Sequence, residues 1–114
     1  MTPAIAALLR KSLDGLSLRY AATAQNIANA NSDHYRPMTV SFENELRTAA
    51  AGGAGSIERL AIGPRQAETA VKGSSVRMDL ELQTASETAM RYGALVDVLG
   101  RELQLERTII RGGQ

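Results

Sequence analysis

Apolar and small residues recur at intervals of three or four along the amino-terminal part of the chain, which is the heptad spacing of a helix that packs against a partner helix. The repeat consists of Ala6, Leu9, Leu13, Leu16, Tyr20, Thr23, Ile27 and Ala30. It follows Thr2 and Pro3, residue types that are favoured at a helix N-cap and at the first helical position. Asn29 and Asn31 then favour a turn. We therefore predict a long helix from Pro3 to Ala30.

The last third of the chain carries two such repeats side by side, after Asp79, which we predict as the N-cap of a second long helix. The first repeat consists of Leu82, Ala85, Ala89, Tyr92, Val96, Leu99, Leu103, Glu106 and Ile110. The second repeat consists of Leu95, Val98, Leu105 and Ile109, and Glu102 interrupts it. Two adjacent apolar stripes cover more surface than one partner helix can bury. We therefore expect this helix to pack on other subunits as well as on the first helix.

Residues 47–75 differ in composition from both ends. Five of the ten glycines fall here together with Ala, Ser and Thr, as in "AAAGGAGS" and "VKGSS". Such a composition is typical of a flexible linker, and we expect at most a short strand in "IERLAIGP". Just before this segment, "FENELRTA" favours a short helical turn with Ser41 as its cap.

Together these patterns predict an all-α chain with one domain, in which long N- and C-terminal helices pair as an antiparallel coiled coil. Residues 1–46 would form the first helix, the Asn-rich turn and the short helical turn. Residues 47–75 would be a mostly irregular linker or reduced middle region. Residues 76–114 would form the C-terminal helix.

Composition argues against several classes of function. The chain has 13 basic and 12 acidic residues and a net charge of +1, so no strong field favours nucleic acid. It has no Cys and one His, and no spacing of carboxylates around that His suggests a metal site. Ser32, Asp33 and His34 are catalytic residue types, but adjacent residues rarely converge on one substrate, so they indicate a polar turn. We expect no enzyme, no cofactor and no metal.

The amino-terminal segment does not read as a secretory signal, because Arg10 and Lys11 interrupt its apolar residues. No segment approaches the length of apolar sequence that spans a bilayer. We expect that if the chain leaves the cytoplasm, it does so without a cleaved signal peptide.

Two segments resemble the ends of bacterial flagellar rod and hook proteins. "AQNIANANSDHYRPMTVSFENEL" resembles a motif in which a helix ends in Ala-Asn-Ile-Ala-Asn-Ala-Asn and continues as Thr-Pro-Gly-Tyr. "GSSVRMDLELQTASETAMRYGALVDVLGRELQLERTIIRGG" is similar to the end of proximal rod members, where Val-x-Met-Asp leads into a helix that closes on Gly-Gly. The matching positions are Asn26, Ile27, Ala28, Asn29, Ala30, Asn31, Tyr35, Phe42, Val76, Met78, Asp79, Tyr92, Leu99, Gly112 and Gly113.

The chain departs from the family pattern in two places. Ser32, Asp33 and His34 stand where the family has Thr-Pro-Gly, so we expect a different turn after Asn31. The middle is short and rich in Gly and Ala, which implies that the small β-domain of larger relatives is reduced to a loop.

The resemblance implies a structural subunit of the flagellar basal body, which assembles through its terminal helices into the periplasmic proximal rod, transmits torque and surrounds the export channel. Its partners would be itself, other rod proteins, the MS-ring with its rod adaptor protein, and the flagellar type III export gate. The alternatives are another rod protein of the same family, or a cytoplasmic two-helix adaptor or export chaperone.

The resemblance also suggests roles for individual residues. Asn26, Asn29 and Asn31 would cap the helix and form hydrogen bonds between subunits, where small Ala28 and Ala30 allow close approach. A separate feature is the pair Phe42 and Leu46 in "FENEL", which matches a Phe-x-x-x-hydrophobic pattern linked to export-gate recognition. The alternative interpretation is a half-turn that packs both side chains on the helix pair.

Overall fold

The structure, a computed structural model, describes residues 1–67 and 76–112 as a mostly helical chain. The elements are helix α1 (Pro3–Ala28), strand β1 (Met38–Thr39), helix α2 (Glu43–Ala50), helix α3 (Ala54–Arg59), strand β2 (Arg65–Gln66) and helix α4 (Met78–Gly112). The two short strands pair in antiparallel orientation, with Met38 opposite Gln66. The predicted long helices at both ends of the chain are confirmed.

Helix α1 begins as its sequence predicts. The Thr2 Oγ1 accepts a hydrogen bond from the Ile5 N–H at 3.2 Å, and Pro3 occupies the first turn, where its missing N–H leaves no bond unmade. The helix ends at Ala28, two residues before the predicted end, and the Asn29 N–H bonds to the Gln25 carbonyl at 3.1 Å.

Helix α1 is the central element of the described chain. It contacts each of α2, α3, α4 and β1. The Met1 amino group contacts Glu106, and the Asn26 side chain contacts Glu81, so each end of α1 lies near the opposite end of α4. The principal extents are 66 × 26 × 14 Å, so the described chain is elongated along its two long helices.

A small apolar core holds α2 and α3 against α1. It consists of Ala7, Leu16, Ala22, Val40, Phe42, Leu46, Ala49 and Ile57. The Phe42 ring lies over Gly15, where an added Cβ would be 2.6 Å from a ring carbon. Only a residue without a side chain allows this approach, so the packing of Phe42 explains a glycine in the middle of a long helix.

Part of the middle segment is ordered helix, which corrects the prediction of a linker. Residues 54–59 form α3, which consists of small and charged residues except for Ile57. Ile57 is its one large apolar residue and is fully buried against the core. Gly53, at a positive φ of 86°, makes the turn from α2 into α3. The Lys11 Nζ donates to the Leu60 carbonyl at 2.6 Å and ties the end of α3 to α1.

Other local predictions for this region also need correction. The strand expected in "IERLAIGP" is wrong: its first residues end α3, and the strand β2 follows at Arg65–Gln66. Ser41 does not cap α2, whose N-cap is Phe42 without a side-chain bond. Asp79 lies in the first turn of α4, since that helix begins at Met78. The linker predicted for residues 68–75 and the closing Gly113 lie outside the described residues.

Within the two described ranges, none of the helices combines the length and the hydropathy that crossing a membrane requires.

Candidate functional site

Asn26 is the most highly connected side chain near the end of α1. It is 1% exposed, and its Nδ2 donates to the Met38 carbonyl at 2.7 Å and to Glu81 Oε1 at 3.2 Å. Its Oδ1 accepts from the Met38 N–H at 2.8 Å and from the Tyr35 hydroxyl at 2.7 Å. These four bonds use both donors and both acceptor positions of the amide. We call this cluster, Asn26 with Tyr35, Met38 and Glu81, the Asn26 junction.

The Asn26 junction joins three parts of the chain: the end of α1, the segment that returns into β1, and the first turn of α4. Burial raises the pKa of the Tyr35 hydroxyl, and the nearby charge of Glu81 raises it further. The hydroxyl therefore stays protonated and remains a hydrogen-bond donor to Asn26.

The other members of the Asn motif are bonded locally or lie at the surface. The Asn29 Nδ2 donates to the Gln25 carbonyl at 2.9 Å, and its Oδ1 accepts from the Ser32 hydroxyl at 3.3 Å. Ala28 and Asn31 are exposed, while Ile27 and Ala30 are half-buried. The Asn26 amide therefore has an intrachain role, since its bonding capacity is used within the chain. The roles between subunits expected for Asn26, Asn29 and Asn31 stay predictions.

The turn after the Asn motif contains a residue with left-handed backbone. His34 has φ 62°, and among the described residues it is the one non-glycine position with positive φ. Asn29 and Asn31, whose residue type tolerates left-handed backbone, do not adopt it. His34 instead occupies the position of Gly in the Thr-Pro-Gly of the family motif.

Replacing His34 by Gly should raise the free energy of unfolding by about 0.5–1 kcal/mol, because Gly adopts positive φ without the clash of a Cβ. Urea denaturation followed by circular dichroism measures the change. His34→Ala is the matched control, since it removes the imidazole but keeps the Cβ, and it should give no gain. Equal stabilisation by both variants would show that the imidazole, and not the backbone, is responsible.

Arg19 fixes the start of α2 to α1. Its guanidinium donates two hydrogen bonds to Glu43, at 2.8 and 2.6 Å, and its Nε donates to the Val40 carbonyl at 2.9 Å. The same guanidinium lies 4.9 Å from the centre of the Phe42 ring. Arg91 of α4 approaches Glu43 at 3.6 Å. Hydrogen bonds from Arg19 lower the pKa of Glu43 to about 2, so its carboxylate remains charged at any pH near neutrality.

The structure buries the Phe42 and Leu46 side chains, which are 3% and 6% exposed. Both belong to the core between α1 and α2. Packing therefore accounts for the pair. Another protein could contact these two side chains only after α2 had separated from α1.

Helix α4 exposes apolar side chains on two of its sides. On a helix of 3.6 residues per turn they form two groups whose centres lie about 150–160° apart around the axis. The front stripe is Met78, Leu82, Ala85, Ala89, Tyr92, Val96, Leu103 and Ile110. The back stripe is Leu80, Val98, Leu105 and Ile109. The large side chains of both stripes are exposed.

The predicted repeats do not each follow one face. In the first repeat, Leu99 is half-buried and Glu106 contacts the Met1 amino group. In the second repeat, Leu95 is half-buried and packs on the core. A straight helix drifts by about 20° per heptad, so residues seven apart rotate gradually towards α1. Buried Thr88 lies on the side that faces α1. The α1 repeat is mixed in the same way: Leu9 and Leu16 are buried, Leu13 and Ile27 half-buried, and Tyr20 half exposed.

Two apolar grooves lie beside α4: one between α1 and α4, and one where α1, α2 and α4 meet. The groove beside the front stripe has a volume of about 400 Å³ and is lined by Leu16, Ser17, Tyr20, Ala21, Thr88, Ala89 and Tyr92. The groove where the three helices meet has a volume of about 450 Å³ and is lined by Leu8, Ser12, Leu16, Phe42, Glu43, Leu46, Arg47, Arg91, Ala94 and Leu95. Both grooves are open and apolar, which suits them to the side chains of a partner.

Several residues that hold this arrangement were not singled out from the sequence. Glu81 and Arg19 are ordinary charged residues of long helices, and nothing local marks their partners. Gly15 did carry a signal, because a glycine inside a helix costs about 1 kcal/mol relative to Ala and its presence suggests a packing reason. Within residues 1–67 and 76–112, no group of three His, Cys, Asp or Glu side chains is placed to bind a metal ion.

No protein-family model matches this chain, and no curated protein matches it. A functional assignment therefore depends on the motifs of the sequence and on the geometry described above.

Proposed function

We propose that this chain is a structural subunit of the bacterial flagellar basal body, corresponding to the proximal rod protein FlgB. In this proposal α1 and α4 pair as an antiparallel coiled coil and the exposed faces of α4 pack on neighbouring subunits. The observation that carries it is the exposure of large apolar side chains in two stripes along the long helix α4. A domain normally buries the apolar faces of its helices against other secondary structure, so we expect other subunits to cover the exposed stripes of α4.

The Asn26 junction supports the resemblance to rod proteins. Asn26 and Tyr35 of the amino-terminal motif bond to each other, and Asn26 also bonds to Glu81, three residues after Met78 in the carboxy-terminal motif. The two motifs therefore meet in space, which gives a physical reason for their occurring together. His34, at the glycine position of the motif, has a positive φ that glycine readily adopts, so this position is compatible with the motif's turn although its residues differ.

As a rod subunit the chain would lie in the periplasm, surround the export channel and transmit torque. It would contact copies of itself, other rod proteins, and the MS-ring with its adaptor protein. It would reach this place through the type III export gate, and it would make and break no covalent bonds.

The proposal is tested by tagging the chain in its own host and purifying hook–basal bodies. We expect the tagged chain to copurify with basal bodies, and a deletion strain to lose the rod and its motility. A chain that stays in the cytosol, with basal bodies forming without it, would refute the proposal and favour the two-helix adaptor.

A pair of variants tests whether the back stripe takes part in packing between subunits. Leu105→Glu puts a charge on an exposed apolar position, so it should fail to restore motility to the deletion strain although the chain folds. The control is Gln104→Glu, which adds the same charge at the neighbouring exposed position outside both stripes and should restore motility. Circular dichroism of both purified variants confirms that they fold alike.

A further inference from the structure

We infer that two copies of this chain pair in solution through the front stripe, with their α4 helices antiparallel. The front stripe extends along nearly all of α4, and its large side chains are 40 to 64% exposed. This inference goes beyond the flagellar proposal, because it concerns the free chain and a closed pair of two copies, and it does not depend on a rod. A closed pair requires a surface that matches itself after a two-fold rotation.

The sizes of the side chains along the front stripe meet this requirement. Ala85 and Leu103 each lie nine positions from Ala94 along the sequence, on either side of it. Tyr92 and Val96 each lie two positions from it. A two-fold axis that crosses the front stripe at the height of Ala94 along α4 therefore places the small Ala85 opposite Leu103 of the second copy, and Tyr92 opposite Val96 of the second copy. A parallel pair would instead place Ala85 against Ala85 and Leu103 against Leu103, with a gap at one position and crowding at the other.

The charges beside the front stripe favour the same orientation. Asp79 lies in the first turn of α4, where it is exposed and has Arg77 as an intrachain partner at 3.0 Å. Arg107 and Arg111 lie in the last turns. In the antiparallel pair each Asp79 lies within a helical turn of the arginines of the second copy, whereas a parallel pair would bring like charges together. Such pairs add little affinity but select the orientation.

The size of the stripe determines the strength of the pair. A helix of 35 residues is about 52 Å long, and a stripe about 10 Å wide therefore covers about 500 Å² on each copy. The total of about 1,000 Å² is near the lower limit for a specific interface. The groove beside Ala89 and Tyr92 adds a recess for side chains of the second copy. We expect a dimer that dissociates in the micromolar range.

Sedimentation equilibrium of the full chain tests the pairing over about 5 to 500 µM, the range in which a small interface should dissociate. We expect the mean mass to rise from one chain to two and no further. Val96→Glu should weaken the dimer at least about tenfold, because it buries a charge in the interface. The matched control is Val98→Glu on the back stripe, since Val96 and Val98 are 44% and 42% exposed, and it should leave the dimer unchanged.

The orientation is tested by disulfide formation, for which the absence of native Cys gives a clean background. Ala85→Cys mixed with Leu103→Cys should form the mixed disulfide at least about tenfold faster than either variant forms a disulfide with itself, because a disulfide needs Cα atoms within about 7 Å. Circular dichroism of each variant confirms that the helical content is unchanged.

Four results would overturn the inference: a chain that stays monomeric at the highest concentration, a mass that rises beyond two copies, a dimer that Val98→Glu weakens as much as Val96→Glu, or disulfides formed mainly between identical variants. None of these results bears on whether the chain copurifies with basal bodies. The failure of this inference and the failure of the flagellar proposal are therefore distinguishable.

Discussion

Replacing Phe42 by Ala should lower the free energy of unfolding by about 3–5 kcal/mol, the usual cost of removing a buried phenylalanine. The Phe42 ring is 3% exposed and fills the space above Gly15, while the Arg19 guanidinium lies over its face. The cavity left by the ring cannot close easily, because the two sides of that space are the backbone of α1 and the start of α2. Urea denaturation followed by circular dichroism at 222 nm measures the loss.

The matched control for Phe42→Ala is Tyr20→Ala. Tyr20 is an aromatic residue of similar size, and it belongs to α1, the helix on which Phe42 packs. Tyr20 is half exposed, so this variant should lose less than about half as much stability. A loss of under about 1 kcal/mol for Phe42→Ala would mean that α2 does not pack on α1 as described.

Replacing Asn26 by Leu should lower the free energy of unfolding by about 3 kcal/mol or more. Leucine has a similar volume, so the change mainly removes four hydrogen bonds and leaves the Met38 N–H and the Met38 carbonyl without their side-chain partner. Each buried polar group that loses its partner costs about 1–3 kcal/mol. The same denaturation experiment measures the effect.

Asn29→Leu serves as the control for Asn26→Leu, because it is the same substitution three residues away. Asn29 bonds only to its own turn, near solvent, so the expected loss is about 1 kcal/mol or less. If Asn29→Leu folds normally but fails to support motility, the role between subunits predicted for Asn29 gains support. Equal losses for the two variants would contradict the assignment of Asn26 as the centre of the junction.

The importance of the Asn motif was apparent from the sequence, but the particular role of Asn26 was not. The residues that bond to Asn26 lie 9, 12 and 55 positions further along the chain. No local pattern relates positions so far apart. From the sequence alone an amide at a helix end is equally suited to a cap, an intrachain bond or a bond to another subunit. Only the folded chain shows which partners take up its bonding capacity.

The middle of the chain shows a second limit of local patterns. Residues 54–59 contain glycine, serine and two charged residues, which together favour a loop. Their helix exists because Ile57 finds a buried site on α1 and because Lys11 bonds the carbonyl that follows the helix. Both contacts are tertiary, and packing of this kind outweighs weak helix propensity in a short segment.

The sequence by itself determined the two long helices, the start of α1 at Thr2 and Pro3, and the turn after the Asn motif, because helix period, capping and turn chemistry are local properties of the chain. Only the tertiary structure decided which residues of each repeat face α1 and which form the front stripe. The reason is geometric. Heptad spacing predicts a continuous stripe, but a straight helix has 3.6 residues per turn, so the apolar positions rotate past their partner and part of each repeat stays exposed.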